Sequence, residues 1–387
     1  MYSVSVIFII YGIMLASGLL TSYPPTIQRI IDAANADGID LTALPFSSKA
    51  FASIEAVQVP QSVNISRTVN GTRLDTHVHV VPDWYRVLTP NTGGSPTPAW
   101  DIRSHLEFMA SNDIGHSIVS ISTPGSGVFL GNETASIGLA RLLNEWVAAL
   151  IKTYPKAFSF YATIPLPYTQ AAILEAAYAL DHLGAIGVIL LTNHEGIYLG
   201  NSSFTPFYRY LQTRNSSREV IFIHPTDPVL NLNGSFISAN PTIYPPGLAE
   251  YYFETARTIV DLTVSQTILN FTEIHFLIPQ AGGAFPAVED RFLKSAPALE
   301  GPSKQVYSSR FWYDSAGPVY FAQVLGLLGY NVPTSQLVFG TDYPYSHVPY
   351  GSSINAILNA SFLTTDEKQN IFYQNTVELF GEHIYKA

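Results

Sequence analysis

The chain has 387 residues, of which 12% are charged and 13% aromatic, with a formal net charge of -10. That composition describes a chain able to bury a large core, and it holds no Lys/Arg cluster able to displace counterions from phosphates, which excludes nucleic-acid binding. There is no cysteine, so disulfides, thiol nucleophiles, thiolate zinc sites and iron-sulfur clusters are excluded too.

In chain order, residues 4–20 form an almost unbroken apolar run, followed by small and turn-forming residues up to Tyr23-Pro24-Pro25. The pattern predicts a secretory signal peptide over residues 1–22. A retained anchor is the alternative, because the run carries no Lys or Arg ahead of it and nearly reaches spanning length. Asn64, Asn70, Asn132, Asn201, Asn215, Asn233, Asn270 and Asn359 each begin an Asn-x-Ser/Thr sequon. Together these features predict a glycosylated protein of the secretory route, with no stable membrane insertion once the signal is removed. Residues 23–72, rich in Pro, Ser, Thr and Asn with weak periodicity, read as a segment that wraps or leads into a domain at 73–387.

From Arg73 a regular alternation begins. Short apolar runs at 73–79, 117–122, 158–164, 185–190, 220–224, 273–278, 311–314 and 337–340 predict buried strands. Helical spacing falls at 133–153, at 170–183 with Thr169 as N-cap, and at 248–267 and 319–328. Eight strands alternating with helices predict an α/β fold, a (β/α)8 TIM barrel, whose chemistry gathers at the C-terminal strand ends. The stretch 227–246 is too long for an ordinary turn and reads as a lid or an interface arm.

The polar residues fall where that fold needs them. In Leu74-Asp75-Thr76-His77-Val78-His79 the two histidines share one strand face, about 7 Å apart along the backbone. His224 ends the fifth run, before Pro225, and Asp342 follows the eighth in Phe339-Gly340-Thr341-Asp342-Tyr343-Pro344. Three imidazoles and a carboxylate at the ends of three strands are a donor set for a divalent ion such as zinc. Asp314, ending the seventh run, reads as orienting a ligand or lining the mouth. Trp84 and Tyr85 read as aromatic groups for stacking on a substrate ring, or as loop packing. His105, His116, His182 and His383 read as packing or surface residues, and His194 and His347 as loop contributors.

With those residues in place, the chain resembles the metal-dependent nonoxidative decarboxylases of the amidohydrolase superfamily, the branch of aminocarboxymuconate-semialdehyde and 6-methylsalicylate decarboxylases. Ser120-Ile121-Ser122-Thr123-Pro124-Gly125, Ala162-Thr163-Ile164-Pro165-Leu166-Pro167, Ile223-His224-Pro225-Thr226, Tyr313-Asp314-Ser315-Ala316-Gly317 and Gly340-Thr341-Asp342-Tyr343-Pro344 carry the likeness by their order and spacing. Gly187 to Asn193, followed by Gly196-Ile197-Tyr198-Leu199-Gly200, is nearest the 6-methylsalicylate type. The resemblance implies one divalent metal ion, usually zinc with manganese as the second choice, held by His77, His79, His224 and Asp342. It implies a small aromatic carboxylic acid as substrate and a homodimer in which Arg291 reaches a neighbouring site to bind a carboxylate.

One position departs from the family. Where it has a histidine beside the metal, this chain has Gln280, in Pro279-Gln280-Ala281-Gly282-Gly283. Glutamine can hydrogen-bond but cannot shuttle a proton near neutral pH. His275, five residues upstream on the opposite strand face, does not replace it. Three readings therefore stand: decarboxylation of an ortho-hydroxybenzoate with Asp342 as proton donor and Gln280 as a neutral orienting group; metal-dependent hydrolysis of a lactone, ester or amide; and a binding paralogue that has lost catalysis.

Overall fold

The computed structural model describes residues 23–61, 72–214, 218–240, 242–317, 320–345, 352–381 and 384. The signal peptide over 1–22, the sequons at Asn64, Asn70 and Asn215, and His347 and His383 lie outside them.

Eight strands form one parallel sheet: β1 (Arg73–Val80), β2 (Ile114–Ile121), β3 (Phe158–Thr163), β4 (Gly187–Leu191), β5 (Glu219–His224), β6 (Ile274–Ile278), β7 (Phe311–Asp314) and β8 (Leu337–Val338). Their order in the sheet is their order in the chain, as right-handed β-helix-β crossovers produce. The sheet curls until its edges meet. The amide of Thr76 in β1 donates to Phe339 O at 2.9 Å, and that of Asp342 donates to His77 O at 2.8 Å, joining first and last strands.

Nearly every strand residue is buried, because the strands have a core on both faces. Inside the barrel, Leu74, Ile118, Tyr161, Ile189, Phe222, Leu277 and Val338 pack on one another, with Leu379, Phe380 and Ile384 of the C-terminal segment in the same cluster. Outside it the helices bury their apolar stripes. The longest, α5 (Glu133–Thr153), has the bounds its spacing predicts, and Asn132 caps it by accepting from the Ala135 amide at 3.1 Å.

Three local expectations change. Residues 25–36 and 47–57 are not irregular but form α1 (Pro25–Ala36) and α2 (Ser47–Val57). Helix α1 buries Ile27, Ile30, Ile31 and Ala34, a three-and-four spacing, and its Arg29 meets the buried Glu145 of α5 at 3.0 Å. After α3 (Asp83–Leu88) and α4 (Ile102–Ser111), α6 (Thr169–His182) begins at Thr169 rather than after it. The Thr169 hydroxyl does not cap that helix but donates to Ser203 O at 2.9 Å. After α7 (Thr205–Gln212), the long 227–246 connection contains a hairpin, Val229–Leu232 paired with Ser235–Ser238, and then enters α8 (Pro246–Val264). Beyond α8 lie α9 (Thr267–Asn270), α10 (Phe285–Leu293), α11 (Pro297–Tyr307) and α12 (Phe321–Gly329). Among the described residues no helix is long and apolar enough to cross a membrane.

Candidate metal centre

At the C-terminal end of the barrel, His77 and His79 on β1, His224 at the end of β5 and Asp342 after β8 offer one donor atom each, all within 4.8 Å of one another. The ring centroids of His77 and His79 stand 5.2 Å apart. Those of His79 and His224 stand 4.7 Å apart.

Each imidazole is held through Nδ1, and each leaves Nε2 for the centre. His77 Nδ1 donates to Asp314 Oδ2 at 2.8 Å. His224 Nδ1 donates to Pro225 O at 2.7 Å. His79 Nδ1 lies 3.0 Å from Ser120 Oγ, whose own hydroxyl reaches Val78 O. Such contacts fix the tautomer and the ring orientation that a metal ligand needs. The inward face then crowds ring nitrogens and a carboxylate oxygen around one point. His79 Nε2 and His224 Nε2 face each other at 3.1 Å, and His77 Nε2 is buried without a hydrogen-bond partner. Asp342 Oδ1 stands 3.3 Å from His79 Nε2 and 3.6 Å from His77 Nε2. Buried lone pairs aimed at one another are costly unless a cation fills the space between them. The four residues fit one divalent ion.

Charge follows the same geometry. Burial, aided by the neighbouring rings, drives His224 well below the ordinary imidazole value, and burial lowers His79 despite Asp342 beside it. For His77 burial also pulls downward, but the charge and hydrogen bond of Asp314, with Asp342 behind, outweigh it and raise the value. Two neutral rings and one ring paired with a carboxylate give an electron-rich cage.

The backbone around the site is bent to present these atoms. Asp342 takes a left-handed φ of 62°, and Gln280 and Ala281 are left-handed in succession, at 54° and 50°. For residues with a Cβ such conformations cost about 1–3 kcal/mol each and persist only where the surroundings enforce them. Beside Asp342, Gly340 has no alternative, since a Cβ there would stand 2.7 Å from His77 Cβ. Asp75 braces the corner from below, accepting from the Thr341 amide at 3.1 Å and its hydroxyl at 2.6 Å, while burial pushes its carboxyl up to about 7.

The other predicted site residues divide. Gln280 lines the chamber above the centre; its amide nitrogen on the backbone donates to Asp314 Oδ1 at 2.8 Å, and its side-chain Oε1 is buried without a partner. Asp314 is buried and bonded to His77, Gln280 and Ala316, so it orients a ligand and does not face substrate. Trp84, expected at the substrate, lies elsewhere. Its ring stacks on Phe46 at 6.2 Å, where it covers the junction with α2, and it lines neither cavity at the barrel mouth. Arg291 is exposed on α10, also away from the chamber of its own subunit. His275 accepts from Trp312 Nε1 at 3.2 Å, and His105 from Trp100 Nε1 at 3.0 Å. His182 is exposed on α6, and His194 Nε2 accepts from the Leu191 amide at 3.1 Å.

Sequence reasoning passed over Ser120, Tyr252 and Tyr345. Ser120 was accessible by the rule that found the histidines, since it sits at the same end of the next strand. Tyr252, on α8, and Tyr345, three residues past Asp342, line the chamber but sit on elements whose facing no strand period reveals.

Comparison with known proteins gives a consistent picture. A family model described as amidohydrolase matches residues 74–381. The decarboxylase yanB of Aspergillus niger is 33% identical over 301 residues, covering 73% of this chain and 79% of that one. The 6-methylsalicylic acid decarboxylase acuB of Aspergillus aculeatus is 29% identical, covering 70% and 84%. Among solved structures, a dihydroxybenzoic acid decarboxylase from a Polaromonas species, crystallised with manganese and the inhibitor 2-nitroresorcinol, superposes with a TM-score of 0.63 at 18% identity, covering 81% of this chain and 97% of that one.

Proposed function

This chain belongs to the amidohydrolase family, in its decarboxylase branch, and on that premise we propose that it is a metal-dependent carboxy-lyase acting on a small aromatic acid with a hydroxyl beside the carboxylate, 6-methylsalicylate being the model compound. The observation that carries the reading is the pairing of an electron-rich cage, His77, His79, His224 and Asp342, with a chamber that, among the described residues, is lined by no Lys or Arg. A substrate carboxylate entering it meets no cationic side chain among the described residues of its own subunit. His77, His79, His224 and Asp342 would hold a divalent ion, which would supply positive charge for the carboxylate and the adjacent hydroxyl. The donor set of three imidazoles and one carboxylate favours zinc, with manganese, present in the Polaromonas enzyme, as the rival.

The protein's own groups do the rest. Asp342 takes up the proton lost by the ring hydroxyl on binding and delivers it to the ring carbon that bears the carboxyl. The bond to the carboxyl then breaks, its electron pair returns to the ring, and carbon dioxide leaves; the phenolate regains a proton from solvent on release. Gln280 Oε1, buried and unbonded, accepts a hydrogen bond from the substrate and orients it without titrating. Tyr252 and Tyr345 wall the ring off from water. A route that needs a histidine at position 280 to activate water is closed, which sets hydrolysis behind decarboxylation.

Metal-loaded protein should contain one zinc per chain and release carbon dioxide from 6-methylsalicylate, with no solvent oxygen in the product. Turnover that incorporates labelled solvent oxygen and releases no carbon dioxide would overturn the reading.

Two further proposals concern setting. We place the protein in the secretory route, supported by the apolar run at 4–20 and by the exposure of all five described sequon asparagines, Asn132, Asn201, Asn233, Asn270 and Asn359; a glycosidase-dependent mass shift tests it. We also propose a homodimer, since Arg291 can serve a substrate carboxylate only from another subunit; light scattering of the holoenzyme tests that.

A further inference from the structure

Beside the metal chamber lies a second cavity that the reaction leaves unused. It measures about 360 Å³ against about 230 Å³ for the metal chamber, and Thr92, Gly93, Thr123 and Tyr251 line both, so the two adjoin. Sites for small organic molecules usually span ~300–1,000 Å³. The metal chamber alone falls short of that range, and the second cavity falls within it.

The roof over the junction is fixed. Gly93, at a φ of 56°, accepts from the Gly247 amide at 3.0 Å, and a Cβ on it would meet Tyr251 Oη at 3.1 Å. The walls beyond are apolar, formed largely by Leu88, Val128, Leu130, Leu166, Leu191 and Val229. Among the described residues no Lys or Arg lines this cavity either, and two carboxylates do. Glu195 is engaged, with Oε1 accepting from the Gly131 amide at 2.7 Å and the Tyr168 hydroxyl at 2.9 Å. Asp227 is not. It takes a bond from the Tyr251 hydroxyl, while its Oδ1 is buried with no partner.

We propose that this second cavity is a subsite for an arm on the substrate ring, apolar along its length and ending in a hydroxyl or similar donor accepted by Asp227, and that arms ending in a carboxylate are turned away by Asp227 and Glu195. An apolar corridor stabilises methylene groups by removing them from water. An unpaired buried acceptor rewards a donor and penalises its absence, and a second anion in a cavity without cations meets only like charge. The identity of the ring rests on the decarboxylase reading; the existence of the arm's subsite does not.

The test uses the metal-loaded enzyme and ortho-hydroxybenzoates carrying a methyl, a 3-hydroxypropyl or a 2-carboxyethyl arm, each as its C4, C5 and C6 isomers. One hydroxypropyl isomer should exceed its methyl counterpart in kcat/KM at least tenfold, and the matching carboxyethyl compound should fall at least a hundredfold below it. Two variants probe opposite walls. Gly127 lines only the second cavity, has a negative φ of -77°, and its nearest neighbour to a new Cβ is Pro124 Cβ at 3.9 Å, so Gly127→Leu fills the space without backbone strain. It should cut the hydroxypropyl-to-methyl ratio at least tenfold. Asp227→Asn should preserve that ratio within about threefold and admit the carboxyethyl arm at least tenfold better. Ratios unmoved by both changes, or a parent enzyme indifferent to the arm's end group, would overturn the proposal. Should no ring acid lose carbon dioxide, the decarboxylase reading fails by itself, and calorimetric titration with the corresponding 3-hydroxypropylphenols decides the subsite. Binding weakened tenfold by Gly127→Leu upholds it, and binding absent or unchanged removes it.

Discussion

The two ends of this barrel use the same residue types to opposite effect. At the floor, His116 on β2 is bonded at both ring nitrogens, to Ser159 Oγ at 2.8 Å and to Lys156 O at 3.1 Å, and Ser159 donates onward to Ile384 O. At the mouth, a histidine and a serine also meet, His79 and Ser120, but there Nε2 is turned toward His224 Nε2 and Asp342 Oδ1 at one shared point. The His116–Ser159–Ile384 chain is closed among protein groups, whereas at the mouth the buried His77 Nε2 and Gln280 Oε1 have no partner and converge on one chamber, beside the left-handed Asp342, Gln280 and Ala281. Residue type does not mark a site; incomplete satisfaction at a convergent point does.

That contrast can be attacked at either end. The largest effect should come from the mouth: Asp342→Ala removes both a ligand and the proposed proton donor, and kcat/KM should fall by at least ~10³-fold with metal content well below one per chain. Activity within tenfold of the parent would dissolve the distinction.

Acid should strike next, and through histidines outside the centre. His105 and His194 are pushed by burial down to about 3, and His116 to about 4. Their folded values lie below the unfolded value, so the unfolded chain binds more protons as pH drops beneath about 6.5, and each costs about 1.4 kcal/mol of stability per pH unit until its folded value is reached. Between pH 7 and pH 5 these three rings together remove about 5 kcal/mol, while Asp75 and Glu289, whose carboxyls burial pushes up to about 7, take up protons in the folded chain and return part of it, so chemical denaturation should show a net loss smaller than about 5 kcal/mol. A flat profile would mean that these rings are not held neutral.

A subtler probe lies beneath the ligands. Asp314→Asn keeps the shape but removes the charge that holds His77, and metal affinity should fall about 10–100-fold with the fold intact. The smallest effect belongs to the floor: His116→Phe should cost about 1–3 kcal/mol in denaturant midpoint analysis by stranding Ser159, with kcat/KM within twofold. A large catalytic loss there would couple the two ends and spoil the contrast.

How much of this was readable from residues alone follows the same divide. The eight strands were legible because each is an apolar run bounded by turn residues, and the cage because strand period and strand ends place His77, His79, His224 and Asp342 together. Helix α1 carried its signal in Ile27, Ile30, Ile31 and Ala34, hidden among flanking Pro, Ser and Asn. Trp84 was not legible: which way a ring on a short helix turns depends on Phe46, distant in sequence. Nor was the role of Asp314, shared between carrying a charge to His77 and bracing the Gln280 turn, because both contacts are long-range. The second cavity is a void between the connections that follow the first five strands, and no periodicity announces a void.

The seam between β1 and β8 has one more consequence. His77 and His79 leave the ribosome some 260 residues before Asp342, and the bond from the Asp342 amide to His77 O is one of those that close the cylinder. A nascent chain therefore owns half the cage long before the remainder exists, and cannot grip an ion fully until its last strand docks on its first. Loading and closure are thermodynamically one event, in which the cation acts as a clasp across the joint that is made last.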